Sequence, residues 1–411
     1  MRETIRGHRL IQEISGLRRM QFIVAAIGAA LAVGGCTIHD RSLLAPPPDT
    51  YEAFAPLGVP ADVRVFGDVA ELDTSAMVED LRDGLTKRRK SNGLQILALS
   101  GGGADGAYGA GVLNGWTQEG SRPEFDVVTG ISTGAIIAPF AFLGPKHDQS
   151  LQRFYTTTDT ERVARGRLVP ALLGGGSLAL SKPLEASIAR ELSDDVLREI
   201  AAEHAKGRRL YVGTTNFDAE RPVIWDLGYL ASQGTEEAFA LARRVILASA
   251  SIPVVFNPVP IAVSNGEITR EELHVDGALT QQVFSYPVDF DMGRLVSELG
   301  LSGRRNTVWI IYNNRLEPLY EVQSTRLIGM AERTLDSLLR AQGLGDVGLV
   351  ISLANRDGFD ANGIAVPLDF DEPKSEGFDP VYMRKLFLRG FRDGASGTAW
   401  YRDLDDEFAG R

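Results

Sequence analysis

Ser132 stands in Gly130-Ile131-Ser132-Thr133-Gly134, a G-x-S-x-G spacing that occurs once in the chain. An apolar run beginning at Phe125-Asp126-Val127-Val128 leads into it, and an apolar helix-like run leads out. A serine on so sharp a strand-to-helix turn needs glycines beside it, and the turn pushes its Oγ into the open. The helix that follows adds partial positive charge where an oxyanion would develop. This context favours a nucleophile over a tight turn without chemistry.

A hydrolytic serine needs a base. The five His stand at positions 8, 39, 147, 204 and 274, and 137 residues follow the last of them. An ordinary Ser-Asp-His order, with His near the carboxyl end, is therefore disfavoured, and a carboxylate acting directly on Ser132 remains. Two of the five Asp-Gly dipeptides continue into Ala, at Asp276 and at Asp393. Asp276 ends a strand-like run, Glu272 to Val275, paired with Val259–Val263 across an Asn265-Gly266 hairpin. Asp393 ends a helix-like basic run. An acid at a strand end is aimed better at a strand-end serine, so Asp276-Gly277 is the candidate, and His274 is read as structural. An ordinary aspartate titrates at about 3.9, which makes it a weak base for a hydroxyl. No activity limb at histidine-like pH is then expected unless Asp276 is strongly desolvated.

The third element is Ser100-Gly101-Gly102-Gly103-Ala104-Asp105-Gly106, again a strand end followed by glycines and a helix. Glycines let backbone N–H groups approach a bound oxygen without a Cβ in the way. Gly101, Gly103 and Gly106 also fit a dinucleotide fingerprint, which wants an acid at the end of the second strand. Here the second strand ends in Thr129-Gly130 and its acid, Asp126, lies at its start. The loop is therefore read as an oxyanion hole of Gly101, Gly102 and Gly103.

Short apolar runs at Leu94–Leu99, Asp126–Thr129, Leu210–Thr214, Val223–Trp225 and Thr307–Tyr312 must position these groups. Helical patterns lie between and after them at 107–118, 133–142, 183–206, 235–249 and 321–342. Such alternation predicts an α/β fold with a mostly parallel sheet covered on both faces. A polar helix over 76–91 ends in Lys87-Arg88-Arg89-Lys90, read as a solvated end that complements the helix dipole. The acidic run Asp403 to Glu407 reads as a solvated tail. The chain has 411 residues, 44% hydrophobic, with net charge −11 and one Cys. That excludes collagen-like, disulfide-scaffold and broadly phosphate-neutralising nucleic-acid binders. No metal-ligand spacing appears, and no cofactor is expected.

Residues 1–21 carry five Arg against two Glu, and Phe22 to Gly35 is uncharged. These 14 apolar residues span roughly 21 Å as a helix, short of the roughly 30 Å hydrocarbon core. A secretory signal over 1–35 is the expectation. Ala32-Val33-Gly34-Gly35-Cys36 resembles a bacterial lipobox, which implies lipidation of Cys36 and a membrane anchor on the cell envelope. Removing 1–35 leaves 38 basic against 52 acidic residues, a charge of −14, so the lipid would have to hold the protein at an anionic surface. Residues 36–92, with Pro46-Pro47-Pro48, read as a tether with a short helix, and 93–411 as the enzyme domain.

The trio of Gly101 to Gly106, Gly130 to Gly134 and Asp276-Gly277-Ala278 resembles the patatin-like phospholipase family in kind and order. Gly213-Thr214-Thr215-Asn216 and Ala248-Ser249-Ala250-Ser251-Ile252-Pro253 also look like stretches of its bacterial members. The resemblance covers roughly 93–400. It implies a three-layer α/β/α patatin-like fold, a Ser132–Asp276 dyad, and hydrolysis of lipid or phospholipid acyl esters. Asp105 departs from it, since the family usually has Arg or Lys there. Backbone donors survive that change, while the cation's own contribution to the loop or to an anionic headgroup does not. A nucleotide-binding protein and an envelope scaffold with a vestigial dyad are the alternatives.

Overall fold

The computed structural model describes residues 42–68, 75–88, 92–157, 182–253, 255–318, 320, 322, 327–373 and 378–401. The expected signal segment, Cys36, Arg89-Lys90 and the acidic tail lie outside them. Among the described residues ten strands form one sheet: β1 Ala55–Pro56, β2 Arg64–Phe66, β3 Gln95–Leu99, β4 Val127–Ile131, β5 Arg209–Asn216, β6 Arg221–Asp226, β7 Val259–Ser264, β8 Thr269–Asp276, β9 Thr307–Tyr312 and β10 Asp360–Ala365. β5, β4, β3, β9 and β10 run parallel through one half. β6, β8, β7, β1 and β2 add an antiparallel wing beyond β5.

β3, β4, β5 and β9 are built on apolar runs because both of their faces are covered; β10, which the sequence did not announce, starts on the polar Asp360-Ala361-Asn362 at the sheet edge. Leu97, Leu99 and Val128 enter one core, with the helices Gly106–Glu119, Thr133–Leu143, Glu236–Ser249 and Pro380–Ser396. Ile96, Ala98, Val127 and Ile131 enter the other, with Ala76–Arg88, Met292–Glu298 and the last turns of Leu327–Arg356. Helix, sheet and helix make three layers, the α/β class that the alternation of elements implies.

Some elements differ from the sequence expectation. The pattern over 183–206 divides into Lys182–Glu191 and Asp194–Ala205, because Ser193 caps the second helix by accepting the Val196 N–H. The helix expected over 321–342 runs from Leu327 to Arg356. Arg88 does not end in solvent. Its side chain is buried against Asp126, Nε to Oδ1 2.6 Å, while Asp126 Oδ2 accepts the Gln95 N–H. That pair ties the helix end to the starts of β3 and β4, so the basic run is partly structural.

The helix after the glycine loop is fixed by close approach. A Cβ on Gly111 would lie 2.1 Å from the Phe387 carbonyl oxygen, and one on Gly390 would lie 2.2 Å from that of Tyr108. Glycines on both surfaces thus let Gly106–Glu119 and Pro380–Ser396 touch backbone to backbone, more closely than side chains would permit.

Candidate active site

Ser132 sits between β4 and Thr133–Leu143 with φ 55° and ψ −123°. Only Ser132 and Glu220 combine a side chain with positive φ among the described residues. Such strain persists where the surroundings over-determine it. Gly134 allows the turn to lie under the first strand: a Cβ there would be 2.4 Å from the Leu99 carbonyl oxygen. Gly130 lies against the backbone of Gly134, Gly106 against Thr133, and Gly277 against the Gly213 carbonyl.

The structure brings Ser132 and Asp276 together across 144 residues of chain. Ser132 Oγ donates to Asp276 Oδ2 at 2.6 Å, and Oδ1 accepts the Ala278 N–H at 2.9 Å. The second bond closes the Asp276-Gly277-Ala278 turn and fixes the carboxylate plane. Both residues are buried. Burial pushes the Asp276 carboxyl up to about 7, against the opposing pull of Ser132 and Ala278. An ordinary carboxylate range is therefore the wrong expectation here; strong desolvation is what the site has, and the base is stronger for it.

The sequence reading missed Ser249. Its Oγ accepts the Ser132 N–H at 2.9 Å and donates to the Gly213 carbonyl at 2.6 Å, tying the serine turn to β5. It lies in the stretch 248–253 noted for its family likeness, but nothing in that stretch by itself signalled the role.

In the glycine loop the three expected donors divide. Gly101 gives its N–H to the Gln282 carbonyl at 3.0 Å, so it is spent on holding the loop and not free for an oxyanion. The Gly102 and Gly103 amides have no such acceptor among the described residues. Gly102 is forced to be glycine, since a Cβ would fall 1.9 Å from the Asn313 carbonyl oxygen. Asn313, also missed, staples the loop: Nδ2 donates to the Ser100 carbonyl, and Oδ1 accepts the Gly109 N–H. Asp105 meets the Tyr382 hydroxyl, and burial together with that carboxylate raises the phenol above its ordinary range.

Gly103, Ser132 and Thr133 open into an apolar pocket walled by Ile136, Phe154, Leu184, Ile252, Phe378 and Met383, with about 550 Å³ of space counted out to its mouth. Such a wall suits an acyl chain and offers little to a polar substrate.

His274 stands apart from this chemistry. Its Nδ1 meets Thr214 Oγ1 at 3.0 Å and its Nε2 meets Glu272 Oε2 at 3.0 Å, with Arg64 bound to the same Glu272. Asp393 is likewise occupied, with Tyr108 and Arg389. Among the described residues, Asp80, His204 and Asp226 offer ligand atoms within 4.8 Å of one another. That grouping was invisible in the sequence because three separate elements supply it. It contains neither Ser132 nor Asp276, and Arg209 already holds Asp80 through Nε at 2.6 Å. Among the described residues no helix is long and apolar enough to cross a membrane.

Residues 97–287 match the family model of the patatin-like phospholipases. A "cUMP-AMP-activated phospholipase" of Escherichia coli is 30% identical over 169 residues, covering 40% of this chain and 48% of its own. The chain thus spans about half the length of the curated relative it matches. Among solved structures, VipD from Legionella pneumophila shares 14% identity at a TM-score of 0.31, over 75% of this chain and 67% of that one. The chain resembles the patatin-like phospholipases over the segment that holds Gly101–Gly106, Ser132 and Asp276.

Proposed function

We propose that this protein is a lipid acyl-ester hydrolase of the phospholipase A or lysophospholipase kind, working through a Ser132–Asp276 dyad. The observation that carries the reading is the 2.6 Å bond from Ser132 Oγ to a buried carboxylate beside an apolar pocket. Ser132 Oγ attacks the ester carbonyl while Asp276 takes its proton. The Gly102 and Gly103 N–H groups hold the oxyanion as it forms. Asp276 returns the proton to the leaving alcohol, which departs as the acyl-enzyme forms. Water then attacks the acyl-enzyme with Asp276 again as base, releasing a fatty acid and restoring Ser132.

The carboxyl must be ionised to act, so a pKa near 7 makes the enzyme most active above neutrality. Even there Asp276 is a modest base for a serine hydroxyl, and the fixed loop donors must supply much of the rate. The experiment is product analysis by mass spectrometry after incubation with phosphatidylcholine, phosphatidylglycerol, lysophospholipid and monoacylglycerol. Fatty acid released by the wild type and not by Ser132→Ala supports the reading; release by both variants alike, or by neither, overturns it.

The same proposal extends to the amino end: residues 1–35 act as a signal, Cys36 carries the lipid, and 36–92 tether the domain 93–411 to the bacterial envelope. Radiolabelled palmitate incorporation that survives Cys36→Ala would exclude that anchor.

A further inference from the structure

The sheet separates the Ser132 pocket from a second cavity. It lies between helix Ala76–Arg88 and the segment 281–288, with about 710 Å³ of space counted out to its mouth. Met77, Val78, Leu81, Ile224, Phe284 and Met292 make its wall apolar. A concave, mostly apolar wall of this kind is the character of a small-ligand site. It belongs to the core on the opposite face from the one that lines the serine pocket.

Ser75, Tyr211, Ser285 and Tyr286 bring hydroxyls to this apolar wall. Tyr211 on β5 is 5% exposed and Ser285 is 2% exposed, and both line the cavity. Neither hydroxyl has a hydrogen-bond partner among the described residues. Buried hydroxyls are ordinarily paired, so two on one cavity wall point to a ligand with a polar group at that position.

Charge narrows the class of that group. Tyr211 lies within electrostatic reach of Asp226 and Asp80. The nearby cation, Arg209, is already committed to both oxygens of Asp80 and to the carbonyls of His204, Arg208 and Asp80. A carboxylate or phosphate head would find no Lys or Arg among the residues that line this cavity, whereas an uncharged hydroxyl can both donate to and accept from Tyr211 and Ser285.

We propose that this cavity binds a neutral single-chain amphiphile, an acyl or alkyl chain with an uncharged hydroxyl head of the glycerol type. The chain lies along Met77, Leu81 and Met292, and the head reaches Tyr211 and Ser285. The cavity wall is continuous with the serine site: Gln282 accepts the Gly101 N–H, and Phe284 accepts the Thr129 hydroxyl on the strand leading to Ser132.

The test uses the full-length protein and a diazirine-bearing 1-O-alkylglycerol, an ether that cannot be hydrolysed at Ser132. After photolysis, peptide mapping is expected to find adducts within 75–81 and 281–292. Excess 1-O-decylglycerol should compete at least about tenfold better than decanoate, a difference of about 1.4 kcal/mol. Tyr211→Phe and Ser285→Ala keep the cavity's shape and should each lower labelling about threefold or more, with unchanged circular dichroism. Adducts confined to 132–155 and 378–383, equal competition by decanoate, or labelling indifferent to both folded variants would each overturn the proposal. Should either variant misfold, adduct mapping and the competition on the wild type still decide.

Discussion

Asp276 and Asp226 are the same residue in nearly the same predicament. Each ends a strand that pairs antiparallel with β5, each is buried, and each uses one oxygen to accept a backbone N–H from the turn that follows. Burial pushes both carboxyls up to about 7. They differ in what the other oxygen meets. For Asp276 it is Ser132 Oγ beside an apolar pocket. Asp226 Oδ2 has no hydrogen-bond partner among the described residues, and the neighbouring Asp80 and His204 offer no nucleophile. A raised carboxyl therefore does not mark a hydrolytic centre by itself; the hydroxyl, the loop donors and the pocket do.

The sharpest way to break this contrast is to neutralise each carboxylate. Asp276→Asn should lower kcat by about 10⁴-fold or more, as loss of a catalytic base does elsewhere. Asp226→Asn should leave kcat within about threefold, because a surface or structural change away from the reacting atoms has little transition-state effect. Equal losses in ester-hydrolysis assays would erase the distinction. Next in size is Gly102→Ala, whose Cβ would collide with Asn313 and displace a loop donor. A fall of about 10²–10³-fold in kcat is expected, with substrate affinity largely kept.

Stability sharpens the comparison from the other side. Between about pH 4 and 7 the folded protein keeps protons on both carboxyls that the unfolded chain has released. Folded stability contributed by these groups is thus greatest in acid and falls as the pH rises through that window, reaching a floor above the folded pKa. Asp226→Asn should flatten the decline in Tm between pH 5 and pH 8 while leaving the activity profile in place. The smallest catalytic effect belongs to His274→Ala. It removes buried hydrogen bonds to Thr214 and Glu272, a loss of about 1–3 kcal/mol in denaturant melts. Hydrolysis by the protein that stays folded should change less than about threefold.

Much of the candidate site was legible because its requirements are local. A strand, a glycine-flanked serine and a helix state the elbow within a dozen residues, and the glycine loop repeats that grammar. The Asp276 turn could be chosen over Asp393 because the end of a strand-like run and the end of a helix-like run aim side chains differently. What the sequence concealed is long-range. Ser249 and Asn313 brace the serine and the loop from other elements, and no local pattern announces a serine or asparagine with such duties. Gly101 was misassigned because a glycine's amide is identical in sequence whether its acceptor is a substrate or the Gln282 carbonyl. The desolvation of Asp276 likewise depends on how the layers close over it. In the fold, the parallel strands β3, β4, β5 and β9 were plain from their apolar runs, whereas β10 was not foreseen, because Asp360-Ala361-Asn362-Gly363 reads locally as a turn. The break at Ser193 was hidden in a helical pattern whose capping serine looks like any polar residue. The glycines joining Gly106–Glu119 to Pro380–Ser396 read locally as weak helix formers and acquire their meaning only from contact.

The most direct test of the central claim is fluorophosphonate labelling of the full-length chain between pH 5 and pH 9, read by intact mass and peptide mapping. One adduct on Ser132 is expected, with a rate that rises through about pH 7 and collapses in Asp276→Asn. An adduct elsewhere, or a Ser132 rate indifferent to both pH and the loss of Asp276, would contradict the dyad.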